Sequence, residues 1–366
     1  MNIYEQQAAN RRDTWLIMAA FALLFAFIGL GADVFLFRFP VPGLEQLSQA
    51  GATRYEQSGL YNNRYSQPRR QGPGESFPFA TVIALLVAGG FLLNSYSNGT
   101  GMVLRSASAR RADAGLPSEK QLINVVSEMS IASGRPMPKV YIVPDPDPNA
   151  FATGFGESDA CIAVTEGLLK TLNRNELQAV VAHEMSHIHN LDIRLMTTVA
   201  ALGGALVLLS DYTSRMLFYG RGGRGSRRDS NSGGGGGQLM IILFVIWLVL
   251  IILAPILVRI MAMAISRKRE YLADATAAEF TRDPVSLIAA LQKIHASVTP
   301  TRSIGQGVAH MCIEDPRGAS FSDGEGVLAN LFCTHPPIKN RIAALKAMAM
   351  IPGEQPAPAG PDRYGL

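Results

Sequence analysis

The stretch His183-Glu184-Met185-Ser186-His187 constrains this chain more than any other. Residues four apart on a helix share a face and lie about 5–6 Å from each other. Two imidazoles at that spacing can point at one metal ion, with Glu184 beside them. Zinc chemistry needs such a pair to hold the ion and a carboxylate to take a proton from its bound water. Asn173 and Glu176 read as a capping box that opens the helix. The bland alternative is an ordinary helix with two satisfied histidines.

A zinc hydrolase needs a third protein ligand and keeps its fourth position for water. The short continuation with a glycine and a third histidine is absent after His187, so the ligand comes from elsewhere. Glu270 is the candidate. Asp274 follows one turn later on the same face, placed to orient a ligand histidine through its free ring nitrogen. Spacing alone leaves a second reading open, in which Glu270 neutralises Arg267, Lys268 and Arg269 on a solvated helix.

Only 17% of the chain is charged and 48% is hydrophobic, whereas soluble domains carry about 25% charge. The deficit points to a membrane. An apolar run from Trp15 to Ala32 follows Arg11 and Arg12. It is longer than a signal-peptide core and lacks a clean cleavage site, so it reads as an uncleaved anchor. A second run covers Phe77 to Tyr96. A third, Leu195 to Ser210, is followed by an Arg/Gly linker with five consecutive glycines, Gly233 to Gly237. A fourth, Leu239 to Val258, is nearly pure Ile, Leu, Val and Phe.

Between the spans the composition turns soluble. Pro117 opens an amphipathic helix to about Ala132, with Ser118 as its expected N-cap. Lys139–Val143 and Ala160–Thr165 read as strands, Glu166–Leu172 as a short helix, and Asn149–Thr153 as a plain turn after a strand. His189, His295 and His310 acquire no role from their context.

His187 and Glu270 can share an ion only on one membrane side, so the two runs between them must both cross or neither cross. Leu195 follows His187 by about 12 Å of helical rise, which pins the site near the bilayer. The net charge of +4 and the loop arginines do not decide the side. Cys161, Cys312 and Cys333 form no paired pattern, which leans toward a reducing compartment. The Arg221–Arg228 segment has no aromatic platform, so nucleic acid is not an expected partner.

Four motifs together resemble the HtpX-type membrane zinc metallopeptidases, relatives of the CAAX prenyl proteases. They are His183–His187 with Asn190 and Asp192, Arg267–Asp274, Thr334-His335-Pro336-Pro337, and Asn149–Gly154. The resemblance implies a mainly α integral membrane protein with four transmembrane helices and a gluzincin-like α+β zinc metallopeptidase domain with a small sheet. It implies one Zn²⁺ per subunit on His183, His187 and Glu270, with Glu184 as general base. It further implies His335 at the oxyanion, and Asn149, Ala150 and Phe151 binding substrate by strand addition; Asp274 supports a ligand histidine, and Asp192 either does the same or caps the membrane helix.

The implied role is cleavage of misfolded or damaged membrane proteins in a stress-responsive quality-control system. The site would face the cytoplasm from the inner membrane. The lipid bilayer and other membrane quality-control proteases are the expected partners beside substrate. A CAAX-type processing protease and an inactive scaffold are the alternatives. On this reading the chain divides into an N-terminal segment (1–14), spans at 15–37, 77–97, 195–212 and 239–260, and loops at 38–76 and 213–238. The catalytic domain takes 98–194 and 261–350, and a tail takes 351–366.

Overall fold

The computed structural model describes residues 3–35, 77–203, 241–249, 253, 269–297, 303–304, 309–314 and 336–349. The expected loops 38–76 and 213–238, most of the fourth span, His335 and the tail 351–366 lie outside the described residues. The chain separates into two compact units. One holds Met18–Leu93 and Ala205–Leu257; the other holds Met1–Ile17, Asn94–Gly204 and Val258–Leu366.

The first unit is helical where described. Gln7–Phe35 and Phe79–Ser106 are the described helical stretches long and apolar enough to cross a membrane. Phe21, Phe25 and Ala88 are buried, while one face of each helix turns its apolar side chains outward, with Leu23 69% exposed, Leu86 71% and Leu93 70%. Hydrocarbon around them removes the cost that water would impose. Asp33 is buried and accepts from the backbone N–H groups of Ala80 and Thr81, which caps the second helix. Gly31 lets the Trp247 indole approach so closely that an added Cβ would stand 1.9 Å from its Nε1. That nitrogen donates to the Phe27 carbonyl.

Both helices outrun the apolar runs that predict them. The first begins at Ile3, so the N-terminal segment is its opening turns. The second continues to Ser106, past Asn94 and Gly99. Asn98 donates to Asn94 one turn earlier, so the polar interruption satisfies itself along the helix.

The second unit carries a four-stranded sheet in the order β1-β2-β4-β3. The strands are β1 (Arg110–Arg111), β2 (Lys139–Val143), β3 (Ala150–Thr153) and β4 (Cys161–Thr165). β4 runs parallel to β2 and antiparallel to β3. Every residue of β4 is buried, as its unbroken apolar run requires of a strand covered on both faces. Ile162 and Val164 join the core shared with helices Pro117–Ser133, Arg174–His189 and Pro284–His295. Cys161 and Ala163 face the opposite way, toward Phe151, Met196, Met311 and Cys312.

Ser118 does not cap its helix. Leu116 holds the N-cap position without a side-chain bond, and Pro117 fills the first helical position. Proline lacks the N–H that a cap would serve and its fixed φ starts the helix directly. Gly134 ends it at φ +64°. β1 escapes a sequence reading because two arginines look like solvated loop. Arg110 in fact forks onto both oxygens of Glu119 at 2.9 and 2.6 Å, which holds the strand against the helix.

Candidate metal centre

The helix Arg174–His189 opens with the expected capping box. The Asn173 side chain accepts from the Glu176 N–H, and the Asn173 N–H donates to Glu176. Such a cap contributes about 1 kcal/mol. It matters here because every residue from Glu176 to Ile188 except the half-buried Gln178 is buried. The helix is thus fixed by packing on all sides, and its histidines are fixed with it.

His183 and His187 stand with ring centroids 4.8 Å apart and planes at 89°. Glu270 arrives from a helix spanning residues 269–281. Its carboxylate lies 3.5 Å from His183 Nε2 and 3.6 Å from His187 Nε2. One potential ligand atom from each of the three residues falls within 4.8 Å of the others. Tetrahedral bonds of about 2.0–2.1 Å separate neighbouring ligand atoms by about 3.4 Å. The spacing therefore fits such an ion.

Each histidine is held from behind. His183 Nδ1 lies 3.0 Å from Asp274 Oδ1, and His187 Nδ1 lies 3.0 Å from Asp192 Oδ2. A carboxylate only accepts, so each ring keeps a proton on Nδ1, and with a metal bound its Nε2 lone pair would turn toward the ion. Asp274 and Asp192 thus stand behind the two rings, each within hydrogen-bond distance of an Nδ1.

The charges around the pair also ask for a cation. Glu184, Glu270, Asp274 and Asp192 are buried here, and the buried counter-charges are Arg341 and Arg269. Among the described residues the buried carboxyls at this site outnumber the buried guanidiniums, which favours a bound cation. Burial pulls the His183 imidazole down, but hydrogen bonds to Asp274 and Glu270 outweigh it and leave it raised to about 9. Burial likewise works against the His187 imidazolium, and Asp192 and Glu270 raise it nonetheless. Without a metal, the imidazoles carry the positive charge the carboxylates demand.

Glu184 is 1% exposed. Neither of its carboxylate oxygens has a hydrogen-bond partner among the described residues. Burial pushes its carboxyl above the usual carboxylate range. An unengaged buried carboxylate beside two ligand histidines is the expected form of a group that takes up a proton.

Arg341 is the site residue that sequence reasoning missed. Fully buried, it donates from Nε and Nη2 to the two oxygens of Asp274 at 2.8 and 2.7 Å. Its Nη1 donates to the Ile313 carbonyl and lies 3.1 Å from Glu270 Oε2. Burial alone would push the Asp274 carboxyl up; Arg341 and His183 pull it below the usual range. The signal is present in the final helix, Ile338–Met348. Ile338, Arg341 and Leu345 recur at helical spacing, which puts the arginine on the buried face.

The segment expected to bind substrate is already engaged. Asn149, Ala150 and Phe151 are buried. The Asn149 side chain donates to the Glu314 carbonyl, the Ala150 carbonyl accepts from the Ile313 N–H, and Phe151 bridges to Cys312. The edge of β3 away from β4 is therefore paired by the chain itself at these residues. The other described histidines have structural partners: His189 accepts from Arg135, His295 meets Glu314, and His310 meets the Met196 carbonyl.

A two-histidine helix packed against a small mixed sheet, with a carboxylate from a later helix facing both rings, defines a metallopeptidase. The model of "Peptidase family M48" matches residues 117–349. A "Protease HtpX homolog" of Caldanaerobacter subterraneus is 38% identical over 349 residues, which cover 95% of this chain and 98% of that relative. One from Streptococcus gordonii is 35% identical, over 94% of this chain and all of the relative. The chain belongs to peptidase family M48 and is an HtpX-type membrane metallopeptidase. Among solved structures, S. mikatae Ste24p matches with a TM-score of 0.42 and 16% identity, over 74% of this chain and 59% of that one.

Proposed function

We propose that this protein is a zinc endopeptidase of the cell inner membrane that cleaves misfolded or damaged membrane proteins beside the cytoplasmic surface. The convergence of His183, His187 and Glu270, with Glu184 unengaged beside them, carries this reading. His183 and His187 hold one zinc through Nε2, and Glu270 holds it through its carboxylate. Zinc, when bound, polarises the scissile carbonyl and acidifies water. Glu184 accepts the proton of the attacking water and delivers it to the leaving amine. Asp274 and Asp192 keep the rings from turning. His335, three residues before Ile338 in the sequence, donates toward the developing oxyanion.

Four membrane helices complete the architecture, with the runs at 195–212 and 239–260 crossing as a hairpin between the two parts of the site. Residues 192–203 and 241–249 are helical, which supports that arrangement. Substrate adds its backbone to β3 at Asn149, Ala150 and Phe151. Cys312 and Ile313 must first withdraw from that edge. A site next to the bilayer suits substrates that are themselves in the membrane.

The full-length protein in liposomes, stripped with a chelator, should lose cleavage of an unfolded membrane-protein substrate and regain it with one equivalent of Zn²⁺. Cleavage that survives complete metal removal would refute the assignment.

A further inference from the structure

His187 depends on Asp192, and Asp192 depends on the far end of the chain. Asp192 is fully buried. Its Oδ2 faces His187, and its Oδ1 accepts from Asn10 Nδ2 at 2.6 Å. The same Asn10 amide donates to the Asn190 carbonyl at 2.9 Å. Both partners are acceptors, so only the NH₂ end of the side chain suits the position, and its orientation is set. Asn10 itself is 1% exposed.

The residue between the two contacts is Leu191, at φ +59°. A branched side chain rarely adopts that conformation, and it persists only where its surroundings enforce it. Here it turns the chain sharply after the histidine helix and brings Asp192 back beneath His187. Asn10 grips the turn on both sides of Leu191. Asp13, one turn further along the first helix, accepts from Arg269, whose Nε stands 3.8 Å from Asp192. Arg269 in turn directly precedes Glu270.

We propose that Asn10 is a positioning residue of the metal centre: the opening turns of the first helix hold Asp192, and through it the His187 ring, in the ligating orientation. The proposal rests on His187 being a zinc ligand. It makes the N-terminal helix part of the metal site as well as a membrane anchor. A catalytic domain without residues 7–13 would lack this hold.

Gln7 supplies the control. It donates from the same helix to the His189 carbonyl at 2.9 Å, without touching Asp192. Zinc affinity of the full-length protein in detergent is measured by competition with a chromogenic chelator, and the visible spectrum is recorded with Co²⁺ in place of zinc. Asn10→Ala should weaken zinc binding about tenfold, the lower end for outer partners of metal ligands, and should alter the cobalt spectrum. Gln7→Ala should stay within about twofold and leave the spectrum unchanged.

If Asn10→Ala fails to fold, Asn10→Leu keeps the branched side-chain shape without the donor and carries the same expectation. Wild-type affinity in the Asn10 variants, or equal weakening in the Gln7 variant, would overturn the proposal. His187→Ala separates the two claims. If it retains zinc, the ligand assignment fails. If it loses zinc while Asn10→Ala does not, only the positioning role fails.

Discussion

Glu184→Gln should lower turnover of an unfolded membrane-protein substrate by about 10³-fold, within the range general-base groups supply, and leave bound zinc at the wild-type level. Glutamine has the shape of glutamate and fills the same buried volume. It cannot take up a proton. The carboxylate it replaces has no hydrogen-bond partner among the described residues, so no structural bond is lost with it. The ligand atoms of His183, His187 and Glu270 meet without it. Activity and metal content should therefore separate cleanly. Cleavage at the wild-type rate would remove Glu184 from the chemistry, and loss of zinc would move it into the ligand set.

Arg341→Ala should cost about 3–5 kcal/mol of stability, the usual penalty for breaking a buried ion pair by removing one partner. Asp274 and Glu270 are each 1% exposed. Without the guanidinium, two carboxylates remain in a dry site with less positive charge between them. Asp274 would also lose the fork that sets its angle toward His183. Zinc affinity should fall in parallel, by about 10- to 100-fold. Arg341→Lys should not rescue, because an ammonium cannot span both Asp274 oxygens and the Ile313 carbonyl. Chemical denaturation of the metal-free variants in detergent measures the effect. An unchanged midpoint in Arg341→Ala would show that the network carries no stability.

What the sequence disclosed followed from local periodicity. Four-residue spacing placed His183 with His187, and again Glu270 with Asp274, on shared helix faces. The capping box at Asn173 is a contact within three residues and was visible for the same reason. The strands β2 and β4 appeared as short β-branched runs. The relations that stayed hidden cross long stretches of chain. Arg341 meets Asp274 across 67 residues, and Asn10 meets Asp192 across 182. An arginine or an asparagine read alone is a solvated residue by default. Only the fold reveals that each is buried against an acceptor.

The N-cap at Ser118 failed through a competing local rule, since proline at the first helical position starts the helix itself. The helices run on past Trp15 and Asn94 because hydropathy marks an apolar stretch, not where a helix's hydrogen bonding stops. β3 was suggested only by the family resemblance, since the residues at Asn149–Thr153 alone read as a turn, and the occupation of its edge by Ile313 was not legible at all. That pairing joins residues from opposite sides of both later apolar runs.

The central claim is that one zinc is shared by His183, His187 and Glu270, with Glu184 left free. Elemental analysis of full-length wild type, Glu184→Gln and Glu270→Ala, purified side by side and equilibrated with limiting zinc, tests it directly. The account predicts one zinc per chain in the first two and less than about a tenth in Glu270→Ala, as a three-ligand site losing one ligand requires. Stoichiometric zinc together with proteolysis in Glu270→Ala would contradict it.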